Sequence, residues 1–167
     1  MNVNVAGVDP GLVHTGVVQL QLFPDSHEWT MTHHLVDGIL DAKGNPQVDC
    51  DEVVRWLGLA PAEATFIEAY RPRAHYQNDA RMGAAVNELK RRIPRATALD
   101  NTGVKKVVKP DLMKLLGVWQ FKTISHHQDL RAAARIGIYG LLKNQQWNPV
   151  LADLVRAHID GQPWTQV

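Results

Sequence analysis

The sequence predicts a single α/β domain over residues 1–167, built on a mixed sheet, and three features carry that expectation. Three apolar runs separated by short turns open the chain, and an isolated strand follows only after a helical segment. A long late helical segment is rich in small apolar residues, which suits it to lie flat on a sheet.

In the first run, Val3, Val5 and Gly7 alternate with Asn4, Ala6 and Val8, as in a buried strand. It stops at Asp9, because Pro10-Gly11 cannot continue a ladder. Strands over about residues 14–22 and 29–37, with Pro24-Asp25-Ser26 as a turn between them, complete an antiparallel meander. Val48, Val53, Val54 and Leu57 then recur at helical spacing until Gly58 and Pro61. Thr65-Phe66-Ile67-Glu68 reads as a short strand whose arrival makes the sheet mixed. A helix from about Asn78 to Arg92 is stopped by Pro94, and a short strand over Ala96 to Leu99 and a Lys-rich stretch from Val104 to Leu116 come next. The long helix runs from about His127 to Leu142, and Asn148-Pro149 marks a break before a short terminal helix.

A hydrophobic share of 45% with 21% charged residues suits a globular domain with a real core. No apolar run approaches the roughly 20 residues needed to cross a bilayer, and the first residues lack a secretory pattern. No membrane partner and a cytoplasmic location are therefore expected. Cys50 is the only cysteine, so intrachain disulfides and cysteine-based zinc cages are excluded; its neighbours Asp49, Asp51 and Glu52 disfavour a thiolate nucleophile. Net charge is only +1, but Glu68 to Arg135 holds 14 Lys or Arg against 6 Asp or Glu, a net +8, and leaves the remainder at −7. A basic block of that kind suits a phosphate backbone.

Carboxylates at strand ends supply the chemistry. An ionised acid where a buried strand stops must be solvated, paired or bound to a cation, and both Asp9 and Glu68 occupy such positions. If their strands are neighbours, both sets of oxygens reach one spot, which is how hard cations such as Mg²⁺ are held. Asp129 opens the alanine-rich helix, and His126, three residues earlier, falls on the same side of a helical turn. Taken singly, each has an ordinary explanation as a turn residue, helix-dipole partner or surface side chain; the joint pattern does not.

Val8-Asp9-Pro10-Gly11, Thr15-Gly16, Ile67-Glu68 and His126-x-x-Asp129 before an alanine-rich helix resemble the RuvC-type Holliday junction resolvases, with a size closer to phage-encoded members. The resemblance implies a ribonuclease H-like fold, a mixed five-stranded sheet flanked by helices, and four metal ligands at Asp9, Glu68, His126 and Asp129. It implies two Mg²⁺ or Mn²⁺ ions bridged by Asp9, a homodimer supported by the helix from Asn78, and four-way DNA junctions cut by paired nicks. Tyr70, Arg71, Arg73 and Tyr76 then belong to a loop that enters the open centre of a junction, and Lys105, Lys106 and Lys109 face the phosphate backbone. On the helix from Asn78, Ala80, Gly83, Ala84 and Asn87 form a stripe of small residues; packing inside the monomer is the competing explanation for it.

Asp9-x-Gly11 with Thr15-Gly16 also resembles the phosphate loop of actin-like sugar kinases and ATPases. Those need two such domains, and this chain has no second Gly-rich loop. A non-catalytic branched-DNA binder, or a ribonuclease H-like nuclease acting on flaps, forks or RNA–DNA hybrids, remains the alternative.

Overall fold

The computed structural model describes residues 2–69, 79–121 and 127–167, with only the backbone described at Asp79 and His127. In chain order its elements are β1 (Val3–Asp9), β2 (His14–Phe23), β3 (Glu28–Asp37), the small hairpin β4 (Ile39–Leu40) and β5 (Pro46–Gln47), α1 (Cys50–Leu59), β6 (Ala64–Ala69), α2 (Asp79–Arg92), β7 (Ala96–Asp100), α3 (Val104–Val107), α4 (Pro110–Leu115), α5 (His127–Lys143), α6 (Asn148–Ile159) and β8 (Thr165–Gln166). The main sheet runs β7-β6-β1-β2-β3-β8. Its β1-β2-β3 meander is antiparallel, while β6 joins β1, and β7 joins β6, in parallel.

The sheet has six strands where five were expected. β8 pairs with β3 through Glu28↔Thr165 and Trp29↔Gln166, and two residues are too few for alternation to show in a sequence. Trp164 supplies the anchor: it is buried, and its ring stacks on His27 at 5.5 Å. The Lys-rich stretch becomes two short helices, divided where Pro110 takes the first turn of α4 and holds Lys109 extended at ψ 158°.

Alternation along β1 splits the core in two. Val3 and Val5 pack beneath α5, together with Val18, Leu20 and Phe66. Ala6 and Val8 face the other way, against α1 and α2, joining Val53, Leu57, Val86 and Leu89. Among the buried residues of α5, Leu130, Ile136 and Leu141 are wholly or almost wholly enclosed, each contributing roughly 1.5–3 kcal/mol. No described helix is long and apolar enough to cross a membrane.

The seat of α5 depends on missing side chains. A Cβ on Gly7 of β1 would lie 1.9 Å from the carbonyl oxygen of Ala133, and one on Gly140 would lie 2.3 Å from the Phe66 ring. Real Cβ atoms do not approach so closely, so backbone rests directly on backbone at Gly7 and on the Phe66 ring at Gly140. Gly7→Ala should cost at least ~2 kcal/mol in urea denaturation by forcing the helix off the sheet. At Gly58 in α1 an added Cβ would meet nothing within 4 Å, so Gly58→Ala should instead stabilise by ~0.5–1 kcal/mol.

Candidate active site

Asp9 is the last residue of β1, and Thr15 fixes the turn that follows. The Thr15 hydroxyl accepts from the Gly11 N–H and donates to the Gly11 carbonyl, both at 3.2 Å. Two residues beyond Gly7, Asp9 projects from the sheet face that carries α5. Glu68 follows the same logic on β6: Phe66 packs under α5, and Glu68 is two residues on. The parallel register Val8↔Ile67 brings the next residues, Asp9 and Glu68, to the ends of adjacent strands. Asp129 comes from the first turn of α5. Its backbone sits on β2 at Gly16, where a Cβ would lie 2.3 Å from the Asp129 carbonyl oxygen. Gly16 is the register partner of Asp9, so the ladder and the glycine contact together bring the third acid to the first.

Electrostatics follow from this crowding. Burial, then the charges of Glu68 and Asp129, hold the Asp9 carboxyl well above the usual carboxylate range, and Glu68 is close enough to share a hydrogen bond with it. Asn101, just past the end of β7, donates its side-chain N–H to Glu68 Oε1. Asp9, Glu68 and Asn101 line a cavity of about 150 Å³ with Lys105 of α3 and Arg135 of α5, backed by Val104, Ala132 and Ile136. A second cleft of about 160 Å³ is lined by Val54, Leu57, Pro61, Ile93 and their neighbours and carries no acid, so it offers no comparable chemistry.

Asp9, Glu68 and Asp129 are thus brought together, the first two at one cavity and the third within reach of Asp9's charge. Among the described residues no three His, Cys, Asp or Glu side chains gather at metal-ligand spacing. His126 lies outside the described residues, as do Tyr70, Arg71, Arg73 and Tyr76. Lys105, Lys106 and Lys109 are all exposed, but only Lys105 lines the cavity. Two cavity residues escaped the sequence reading. Asn101 obeys the strand-end rule that singled out Asp9, one position beyond the β7 terminus. Arg135 interrupts the apolar run Ala132-Ala133-Ala134 before Ile136, a signal hidden by counting it only as part of the basic block.

No protein-family model and no curated protein matches the sequence. The structure is similar to that of Thermus thermophilus RuvC in complex with a Holliday junction substrate, with a TM-score of 0.59 and 17% identity over 81% of this chain and 90% of that one. It is similar also to Thermus thermophilus RuvC in another structure, with a TM-score of 0.58 and 18% identity over 81% and 91% of the two chains. The fold is the ribonuclease H-like fold of RuvC.

A cluster whose acid is forced upward in pKa weakens the native state as that acid ionises. Between its unfolded value near ~3.9 and its higher folded value, native Asp9 retains a proton that the unfolded chain has released. Stability without divalent metal should therefore fall as pH rises through this range. Asp9→Asn removes the effect and should raise the melting temperature in chelator at pH 7 but not near pH 4, by about 2–4 °C for each kcal/mol relieved. Equal shifts at both pH values would contradict this origin.

Proposed function

We propose that the chain is a metal-dependent endonuclease of the RuvC type, which resolves four-way DNA junctions by paired symmetric nicks. The observation that carries this reading is the placement of Asp9 and Glu68 at the ends of adjacent parallel strands, with Asp129 delivered to them by a helix seated on Gly16. On a fold shared with RuvC, that set of oxygen donors suits hard divalent cations. The mutual repulsion at Asp9 is what a cation would relieve.

Asp9, Glu68, His126 and Asp129 would hold two Mg²⁺ or Mn²⁺ ions. Bound there, the ions supply the Lewis acidity that activates water for in-line attack and stabilises the departing 3′ oxygen. An imidazole is a softer ligand than a carboxylate, so His126 favours Mn²⁺. Asn101 holds the Glu68 carboxylate in place, and Lys105 presents its ammonium where a phosphodiester would enter. Tyr70, Arg71, Arg73 and Tyr76, on the segment that follows Glu68, would meet unpaired bases at the junction centre.

A two-fold substrate needs two active sites, and α2 offers the surface to pair them. Its inner face, Ala85, Val86 and Leu89, is buried in the core. Ala80, Ala84 and Asn87 are exposed, and a Cβ on Gly83 would meet nothing within 4 Å, so among the described residues nothing covers the stripe. Sedimentation should show a wild-type dimer, with Ala84→Lys monomeric at low concentration and its thermal melt unchanged; a wild-type monomer at every concentration would reject the pairing.

The decisive assay incubates the protein with labelled four-way junction, flap, fork, linear duplex and RNA–DNA hybrid, with and without divalent metal. Symmetric nicks should appear on the junction only with metal. Asp9→Asn, Glu68→Gln and Asp129→Asn should each lose about 10²–10³-fold in rate while still binding the junction, the scale expected when several kcal/mol of charge stabilisation is removed. Cutting of the hybrid alone would point to a ribonuclease H-like activity, and binding without cutting to a non-catalytic junction binder.

A further inference from the structure

Arg135 is the cavity residue that neither the acid cluster nor the core explains. It projects from α5 into the space shared by Asp9, Glu68 and Lys105. Its Nε is buried with no hydrogen-bond acceptor among the described residues, and the side chain closes no ion pair there, although Glu68 is near enough to interact electrostatically. Arg131, one turn earlier, is committed elsewhere: its Nε donates to the Trp119 carbonyl at 2.5 Å, and its guanidinium lies 4.5 Å over the Trp119 ring. Arg135 is thus held beside a like charge, in a partly desolvated position, with unused donors. Keeping an arginine there costs free energy unless an anion completes it.

We propose that Arg135 binds a phosphate of the DNA backbone seated in this cavity, through a forked contact that the acids cannot supply. The inference rests on the nuclease reading for its substrate, but a phosphate contact is measurable without cleavage. A planar guanidinium suits two oxygens of one phosphate, whereas Lys105 offers a single mobile ammonium. Arg135 stands six residues along α5 from Asp129, or ~9 Å of helix axis. One strand could therefore touch both the acids and the arginine. Arg135 would set the strand's position, and the carboxylates would act at the scissile bond.

Equilibrium binding of a four-way junction and of a linear duplex, each titrated with salt in the Asp9→Asn background without divalent metal so that the DNA stays whole, tests this. Adding Arg135→Gln should lower the slope of log K against log salt by about one unit on both DNAs, and Arg135→Lys should keep it. In the otherwise unaltered protein, Arg135→Gln should slow single-turnover cleavage about tenfold or more, with partial recovery in Arg135→Lys. Arg135→Met serves as a second neutral substitution should Arg135→Gln melt early. An unchanged slope in the neutral variants overturns the proposal, including the case in which cleavage falls, since that assigns Arg135 to positioning Glu68. If the wild-type protein cuts no DNA while the slope still changes, the nuclease reading fails and the phosphate contact stands. Absence of DNA binding rejects both.

Discussion

The site depends on backbone touching backbone where α5 crosses β1 and β2. Gly7 and Gly16 leave the sheet bare at two points, and Gly137 and Gly140 leave the helix bare at two more. The positions at which added methyl groups would strike are carbonyl oxygens, backbone nitrogens or an aromatic ring. At such separations neither partner can yield cheaply, because interiors are packed close to crystal density. The helix therefore has one seat on the sheet, and the position of Asp129 relative to Asp9 follows from it. The same contact closes the larger of the two cores, so stability and site geometry rest on one interface.

That rigidity bears a cost held in the acids. Burial desolvates Asp9, strand register presses it against Glu68, and α5 adds the field of Asp129, leaving a carboxyl that resists ionisation. A domain selected for stability alone would not retain this arrangement, and sites of chemistry are where such costs are kept. Two basic residues, Lys105 of α3 and Arg135 of α5, share the cavity without neutralising the acids by ion pairs among the described residues. The cavity therefore carries opposite charges held apart around one small space.

Much of this was legible in the chain itself. Period-two alternation located β1, apolar runs bounded by turn residues located β2 and β3, and Pro10-Gly11 marked where Asp9 had to stop. Thr65 to Glu68 announced a strand after a helix, and with it a mixed sheet. The acids were found because charge at the end of a buried run is a local anomaly, visible without knowing any partner. β8 was not legible, since two residues carry no period and only the burial of Trp164 draws them to β3.

What the sequence alone determined was the longer strands and helices and the strand-end acids, because these follow from interactions among near neighbours in the chain; β8, the β4–β5 hairpin and the division into α3 and α4 did not show there. Tertiary structure decided which of those ends meet. The Val8↔Ile67 register puts Asp9 beside Glu68, and Gly16 beneath Asp129 completes the approach. It also decided that Asn101 reaches Glu68, that Arg135 lines the cavity of the acids, and that the small residues of α2 point outward. Each of these depends on the angle and depth at which separate elements pack, and no local pattern in the sequence encodes that.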